Sequence, residues 1–286
     1  MQLIAFRKYF LILVLCFSFQ NCGWLVDLAF PVEIDKFLGE RFFKATIQGE
    51  NDVKVYKNQE LQKYVQSIAD RILKSKSIRY KEEFSYKVTL LKDDDTINAV
   101  CAPGGYIFVY TGLLHFVKDE ATLAGILAHE IAHAERRHST KQLSTTITLY
   151  YALYWTLSYI LGPDLAQHAA DLAGLSTNLF SLANSRSAEE EADEFGFQYM
   201  RSTPYYPGAI SGFFKDIQVW RKEKGKEEDL NNPIAKYLST HPMDEERIEE
   251  NERRLKDAKI PKPNPKSFFR ERYESKISQY LGKKDE

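Results

Sequence analysis

Most of the chain carries apolar residues at three- and four-residue intervals, the spacing of helices that bury one face. This pattern predicts helices over residues 31–49 and 58–73, with Asn58 as the N-cap of the second. Another helix is predicted after Asp119, whose carboxylate suits the positive end of a helix. The apolar positions that follow Asp119 indicate that this helix faces a core.

Three shorter segments have the pattern of strands. Residues 84–90 alternate between apolar and polar side chains, and residues 96–102 and 106–111 are strand-like on either side of a Pro-Gly-Gly turn. The sequence therefore predicts an α+β fold that is mainly α, with a small sheet of three or more strands.

Residues 147–161 form an unusual stretch that is rich in tyrosine and leucine and has no charge. The stretch is short for a membrane-spanning helix and carries several hydroxyl groups. Three interpretations stay open. It is a core helix, a helix that faces the membrane surface or the substrate, or a contact in an oligomer.

Residues 129–133 read His-Glu-Ile-Ala-His and lie within the helix predicted after Asp119. The four-residue spacing places both imidazoles on one helix face, where His129 and His133 can hold one Zn²⁺. Glu130 then lies beside the open coordination position and can take a proton from the water molecule there. On these five residues alone, a buried helix with two incidental histidines remains the alternative. His138 is interpreted as structural or solvent-exposed.

A second acidic helix supplies what this motif lacks, because a catalytic zinc site usually has three protein ligands. Ser187 and Glu190 fit a capping box, so a helix is predicted to begin there. Glu189 and Asp193 then share a face. One of them can bind the metal, and the other can accept a hydrogen bond from the free ring nitrogen of a ligand histidine. The other acidic side chains of this helix are interpreted as solvated: Glu190, Glu191 and Glu194.

With these two motifs in this order, the chain resembles the zinc metalloproteases that include HtpX, the CAAX prenyl proteases, the mitochondrial Oma-type proteases and the periplasmic proteins BepA and LoiP. Their pattern is His-Glu-x-x-His followed by a Glu-x-x-Ala-Asp helix. The resemblance implies that Glu189 is the third zinc ligand and that Asp193 orients a ligand histidine. It also implies a helical zincin-type metalloprotease domain, assigned to residues 22–260, with one Zn²⁺ per chain.

Residues 98–114 resemble the strand–turn–strand element that precedes the zinc helix in this family. The resemblance implies that an edge strand flanks the zinc site and pairs with an extended substrate. Asn98, Ala99 and Val100 are the expected substrate-binding residues, and residues 106–110 are the other strand that could align the substrate backbone.

His241-Pro242 followed by Arg247 resembles the late His-Pro…Arg element of the family, in which the histidine faces the zinc and the arginine lies nearby. The resemblance implies that His241 and Arg247 are catalytic. His241 can stabilise the tetrahedral oxyanion, with Arg247 close by, or it can occupy the fourth zinc position in a resting state. The sequence does not choose between these roles.

The composition and the N-terminal sequence limit the size of the core, the partners and the compartment that can be expected. Its 286 residues suffice for one sizeable core, and a formal net charge of −1 implies no bulk attraction to nucleic acid. A basic start and a short apolar run make residues 1–21 an expected export signal. Cys22 is then the candidate lipidated first residue of the mature chain, with simple secretion or a retained anchor as the alternatives. With Cys22 lipidated, Cys101 is left alone and no intrachain disulfide is expected.

These inferences predict a zinc endopeptidase that cleaves misfolded or misassembled envelope proteins and is attached to a bacterial membrane through lipid on Cys22. Gly23 gives no retention signal of the aspartate type, which favours the outer membrane and a domain that faces the periplasm. Residues 261–286 are predicted to be a proline linker and a short C-terminal tail. Unfolded polypeptides are the expected partners, and the oligomeric state is left open. The alternative is an envelope chaperone or assembly factor with a latent zinc site capped by His241.

Overall fold

A computed structural model gives the fold and describes residues 31–49, 53–143, 184–224, 233–242 and 245–282. Helices make up most of this part of the chain, so the predicted mainly helical α+β class is confirmed. The helices are α1 Val32–Gln48, α2 Gln59–Ile72, α3 Thr111–Phe116, α4 Glu120–Glu135, α5 Arg186–Met200, α6 Ile210–Lys224, α7 Ala235–Thr240, α8 Glu245–Asp257 and α9 Arg270–Tyr280. The strands are β1 Lys87–Leu91, β2 Ala99–Ala102 and β3 Tyr106–Tyr110.

The sheet has the order β1-β3-β2. The central strand β3 is parallel to β1, with Leu90 opposite Val109, and antiparallel to β2, with Val100 opposite Phe108. Because β3 lies in the middle, β2 is at one edge of the sheet. The strand predicted over residues 84–90 begins only at Lys87, because Tyr86 has a φ of 38°, outside the extended region.

Helix α4 is the central element of the fold, since all its residues are buried. Asp119 caps it as predicted, and its side chain accepts a hydrogen bond from the Thr122 amide at 2.8 Å. The predicted cap Asn58 likewise accepts from the Leu61 amide of α2. Apolar residues of α2, the sheet, α4, α6 and α9 form one continuous core around α4.

The N-terminal end of α4 is tied to the C-terminal helix α9. The buried carboxylate of Glu120 accepts hydrogen bonds from Tyr64, Arg71 and Tyr205. Arg272 of α9 donates to the same carboxylate. The sequence predicts a proline linker and a short tail over residues 261–286, and within this range α9 contributes Tyr273 and Ile277 to the core around α4.

Several predicted features lie outside the described residues: the export signal, Cys22 and residues 147–161. Within the described ranges, no helix combines the length and the apolar character needed to cross a bilayer.

Candidate metal centre

Helix α4 places His129 and His133 on one face, as their spacing predicts. Their Nε2 atoms lie 3.0 Å apart, and both rings are almost completely buried. The burial fixes the imidazoles because neighbouring side chains leave few rotamers available. The two nitrogens therefore converge on a point that one metal ion could occupy.

Helix α5 brings the carboxylate of Glu189 to the same point. Glu189 Oε2 lies 3.4 Å from His129 Nε2, and Oε1 lies 3.2 Å from His133 Nε2. The predicted capping box at Ser187 is wrong, because α5 begins two residues earlier. Ser185 is the N-cap and accepts a hydrogen bond from the Ala188 amide at 3.2 Å. Glu189 thus lies in the first turn of α5.

A glycine lets α5 approach α4 this closely. A Cβ atom at Gly196 would lie 3.2 Å from the His129 amide nitrogen and 3.3 Å from the Ala128 carbonyl carbon. Contacts this short are with backbone, which has little freedom to move away. Gly196 therefore helps to set the distance between the two helices that carry the converging side chains.

His241 completes the group from the residue that follows α7. Its Nδ1 atom lies 3.0 Å from Glu189 Oε1, and its Nε2 atom lies 3.6 Å from Glu130 Oε1. Donor atoms of His129, His133, Glu189 and His241 all lie within 4.8 Å of one another. Two or three imidazoles with one carboxylate, buried together, are a donor set that suits a divalent transition metal.

Glu130 offers a further test of whether this centre fits a metal and a water molecule. Its side chain is buried, and Oε1 has no hydrogen-bond partner among the described residues. Burial raises the pKa of Glu130, while the neighbouring His241 and His129 rings and the Cys101 backbone amide act in the opposite direction. An orphaned carboxylate oxygen beside the four donors is expected where a reacting water binds.

The ring of His129 is held from behind by a carboxylate. Its Nδ1 atom lies 2.9 Å from Asp193 Oδ1, and the Arg247 guanidinium donates to both Asp193 oxygens at 2.8 and 3.0 Å. Burial alone would lower the pKa of His129, but Asp193 and Glu189 outweigh it and raise that pKa to about 10. Metal binding would therefore have to displace a proton from this ring.

Arg247 contacts both carboxylates that lie near the histidine pair. Besides Asp193, it contacts Glu189 Oε2 at 2.8 Å and donates to the Pro242 carbonyl at 2.8 Å. These contacts allow Arg247 to hold the carboxylates of Glu189 and Asp193 in place, and the catalytic role expected for Arg247 from the sequence stays a prediction.

The ring of His133 is held by a different set of residues. Its Nδ1 atom lies 2.8 Å from His138 Nδ1, and His138 Nε2 lies 2.8 Å from Glu191 Oε2. The Arg136 Nε group donates to the other Glu191 oxygen at 2.7 Å. His138 is buried, although the sequence leaves open that it is solvent-exposed, and Glu191 was not recognised as a partner of the centre.

The expected substrate residues lie at the start of the edge strand β2. The Tyr110 amide donates to the Asn98 carbonyl at 3.1 Å. Because paired residues alternate in an antiparallel ladder, the Val100 backbone then faces β3, while the Ala99 and Cys101 backbones face away from the sheet. Residues 106–110 cannot receive a substrate strand, because β3 has a neighbour on each side.

Comparison with known proteins gives matches over the same region. A family model described as Peptidase family M48 matches residues 58–255. The mitochondrial metalloendopeptidase OMA1 of Schizosaccharomyces pombe is 30% identical over 202 residues, which are 69% of this chain and 54% of that protein. The putative beta-barrel assembly-enhancing protease of Vibrio cholerae is 27% identical over 214 residues, 72% of this chain and 41% of that protein.

The beta-barrel assembly-enhancing protease of Escherichia coli is 27% identical over 195 residues, 66% of this chain and 37% of that protein. The chain thus spans about half, or less, of the length of these relatives. The resemblance inferred from the two motifs is confirmed, and so is the prediction that this domain is a metal-dependent endopeptidase domain.

Proposed function

Because the chain belongs to peptidase family M48, we propose that it is a zinc endopeptidase that cleaves misfolded or misassembled proteins of a bacterial cell envelope. The observation that carries the catalytic part of this proposal is the convergence of His129, His133 and Glu189, 3.0 to 3.4 Å apart, beside the orphaned Glu130 oxygen. Imidazole and carboxylate ligands in this number are typical of catalytic zinc, which supports zinc over other divalent ions.

When bound, the zinc ion would polarise the scissile carbonyl and make a neighbouring water more acidic. Glu130 would accept the proton of that water through its free Oε1 atom and return it to the leaving amine. Burial raises the pKa of Glu130, which makes its carboxylate a stronger proton acceptor for this role.

The edge of the sheet would hold the substrate. The outward-facing Cys101 amide already points to Glu130, and its carbonyl accepts a hydrogen bond from Ser139 at 3.1 Å. The outward Ala99 backbone would pair with an extended peptide next to the general base. Asn98, whose buried Oδ1 has no partner among the described residues, would contribute an acceptor to the same peptide.

Glutamine at position 130 tests this mechanism. Glu130→Gln should keep its zinc and lose turnover of an unfolded protein substrate by roughly 10²- to 10⁴-fold, because an amide cannot accept the proton. Glu190→Gln, an exposed neighbour of Glu189, is the matched control and should cleave at the wild-type rate. A Glu130→Gln protein that cleaves at the wild-type rate would exclude the proposed base.

A second candidate function is that of an envelope chaperone or assembly factor whose protease is latent. It is favoured by the position of His241, whose Nδ1 atom lies 3.0 Å from Glu189 Oε1 and within reach of the same metal. If His241 caps the zinc, His241→Ala should raise proteolysis. If His241 stabilises the oxyanion, the same variant should lower it while zinc content stays constant.

The cellular part of the proposal rests on the N-terminal sequence and on the names of two relatives. Residues 1–21 would direct export, and Cys22 would carry lipid at the periplasmic face of the outer membrane. The two bacterial relatives are named as beta-barrel assembly-enhancing proteases, and these names suggest outer-membrane barrel proteins as a substrate class. Mass spectrometry of the mature N-terminus, together with membrane fractionation, tests this, and an unmodified chain that begins at Met1 would contradict it.

A further inference from the structure

His133 is the first of three side chains in contact, which lead away from the proposed metal centre through His138 to Glu191. His133 Nδ1 contacts His138 Nδ1, and His138 Nε2 contacts Glu191 Oε2, each at 2.8 Å. His138 is only 5% exposed, so water competes little for either ring nitrogen. The order is therefore imidazole, imidazole, carboxylate, whereas His129 contacts the carboxylate of Asp193 directly.

This order fixes the proton positions on both rings. A metal at the centre needs the bare Nε2 atom of His133, so the His133 proton is on Nδ1 and is donated to His138. His138 Nδ1 must then accept, and the His138 proton is on Nε2. His138 Nε2 donates this proton to Glu191. In this arrangement both rings are neutral, and each nitrogen that faces a neighbour has a partner of the right kind.

Glu191 is well suited to end this chain. One Glu191 oxygen faces His138 Nε2 at 2.8 Å, and the other accepts a hydrogen bond from the Arg136 Nε group at 2.7 Å, so the carboxylate has a cationic partner and an oxygen available to accept from His138. Arg136 is held over the Phe195 ring, with 4.4 Å between the guanidinium carbon and the ring centroid. The acceptor is therefore itself fixed in place by α4 and α5.

We propose that His138 is a positioning residue that fixes the tautomer and orientation of His133 for metal binding, with Glu191 as its acceptor. The inference rests on the proposed metal centre. His138 does not belong to the group of converging donors among the described residues, so it is not offered as a ligand. Partners of this kind typically contribute about 10- to 100-fold to metal affinity.

Zinc affinity of the purified full chain, measured by competition with a fluorescent chelator, tests the proposal without reference to proteolysis. His138→Leu fills similar space but cannot accept the His133 proton, so zinc should bind at least tenfold more weakly. His138→Gln can accept through its amide oxygen and donate through its amide nitrogen, so it should restore most of the affinity. Glu190→Gln is the matched control on α5 and should bind zinc like the wild type.

Two results would overturn the proposal: wild-type affinity in His138→Leu, or a glutamine variant as weak as the leucine variant. If His138→Leu does not fold, nitrogen-15 NMR of the wild-type histidines decides instead. The proposal requires a proton on His138 Nε2, and a proton on Nδ1 overturns it. Failure of the proposed function is distinguishable, because the wild-type chain would then show no zinc affinity above that of a His129→Ala/His133→Ala variant.

Discussion

His129 and His133 are the same kind of side chain, one turn apart on one helix, yet their surroundings differ in charge and in depth. Behind His129 lie Asp193 and Arg247, an ion pair whose side chains are both nearly inaccessible to water. Behind His133 lies the buried His138, followed by the partly exposed Glu191. One half of the centre depends on buried opposite charges, and the other half on a neutral ring that connects to the surface.

This difference separates folding from metal binding. Asp193 and Glu189 both face the buried Arg247 guanidinium, so removing Asp193 leaves that charge with less compensation in a medium of low polarity, which destabilises the whole fold. Removing a neutral ring near the surface leaves no buried charge. The His129 half should therefore determine whether the domain folds, while the His133 half should chiefly affect how tightly the folded domain holds its metal.

The largest effect is expected for Asp193→Ala. Arg247 would lose the carboxylate that accepts its Nε and Nη2 hydrogen bonds, so metal-free protein should lose about 3–5 kcal/mol of unfolding free energy in urea. The double variant Asp193→Leu/Arg247→Met removes both charges and should recover much of that loss. If the single and double variants were equally unstable, an uncompensated buried charge would not be the cause, and the proposed difference between the His129 and His133 halves would fail.

The Asp193–Arg247 ion pair also predicts that the free energy of unfolding depends on pH. Burial alone would raise the pKa of Asp193, but Arg247 and His129 lower it from 3.8 to about 2. Because the folded pKa is the lower one, this stabilisation is complete above about pH 4 and is lost as the pH falls towards 2. The stability difference between wild type and Asp193→Ala should shrink over that interval, as acid titrations of unfolding would show.

A smaller effect is expected for Gly196→Ala. The new methyl group would press on the His129 and Ala128 backbone. The free energy of unfolding should therefore be about 1–3 kcal/mol lower than in the wild type. Gly212→Ala is the control in α6, where nothing lies within 4 Å of an added Cβ. It should be neutral or stabilise by up to about 1 kcal/mol. Thermal unfolding of both variants checks this, and equal shifts would show that the α4–α5 spacing is tolerant.

The smallest effect is expected for Arg136→Ala, at the exposed end of the His133 half. The Arg136 side chain is 21% exposed and its partner Glu191 is 30% exposed, so solvent screens their attraction. Unfolding free energy should change by about 1 kcal/mol or less. Zinc affinity should fall less than in His138→Leu, because Glu191 still accepts from His138. A loss as large as that of Asp193→Ala would erase the distinction between the two halves.

Features that depend on local sequence were predictable. The spacing of His129 and His133, the caps Asn58 and Asp119 and the strand character of residues 106–110 each follow from neighbouring residues, and the structure shows them. Glu189 and Asp193 could be paired on one face for the same reason. The choice of Glu189 as the metal-facing carboxylate came from family resemblance, because the spacing treats the two alike.

Features that depend on how segments meet were not predictable. On a continuous helix, His138 would point well away from His133, five residues earlier. Helix α4 instead ends at Glu135, and Arg137 adopts a φ of 59°, which turns His138 back toward the ligand ring. Glu191 looked like one more solvated acid because its partner comes from another helix. The sequence does not single out Ser185 as the cap, because Ser185 and Ser187 both suit the start of this helix.

The metal-facing side chains come from α4, from α5 and from the residue after α7, and Arg247 of α8 contacts Glu189 and its neighbour Asp193 on α5. A nascent chain therefore has no assembled centre until synthesis has passed Arg247 and the segments have docked. Truncated fragments that end before Glu189 would be inert whatever their fold. The proposed activity would therefore arise only late in synthesis, after most of the described chain has been made.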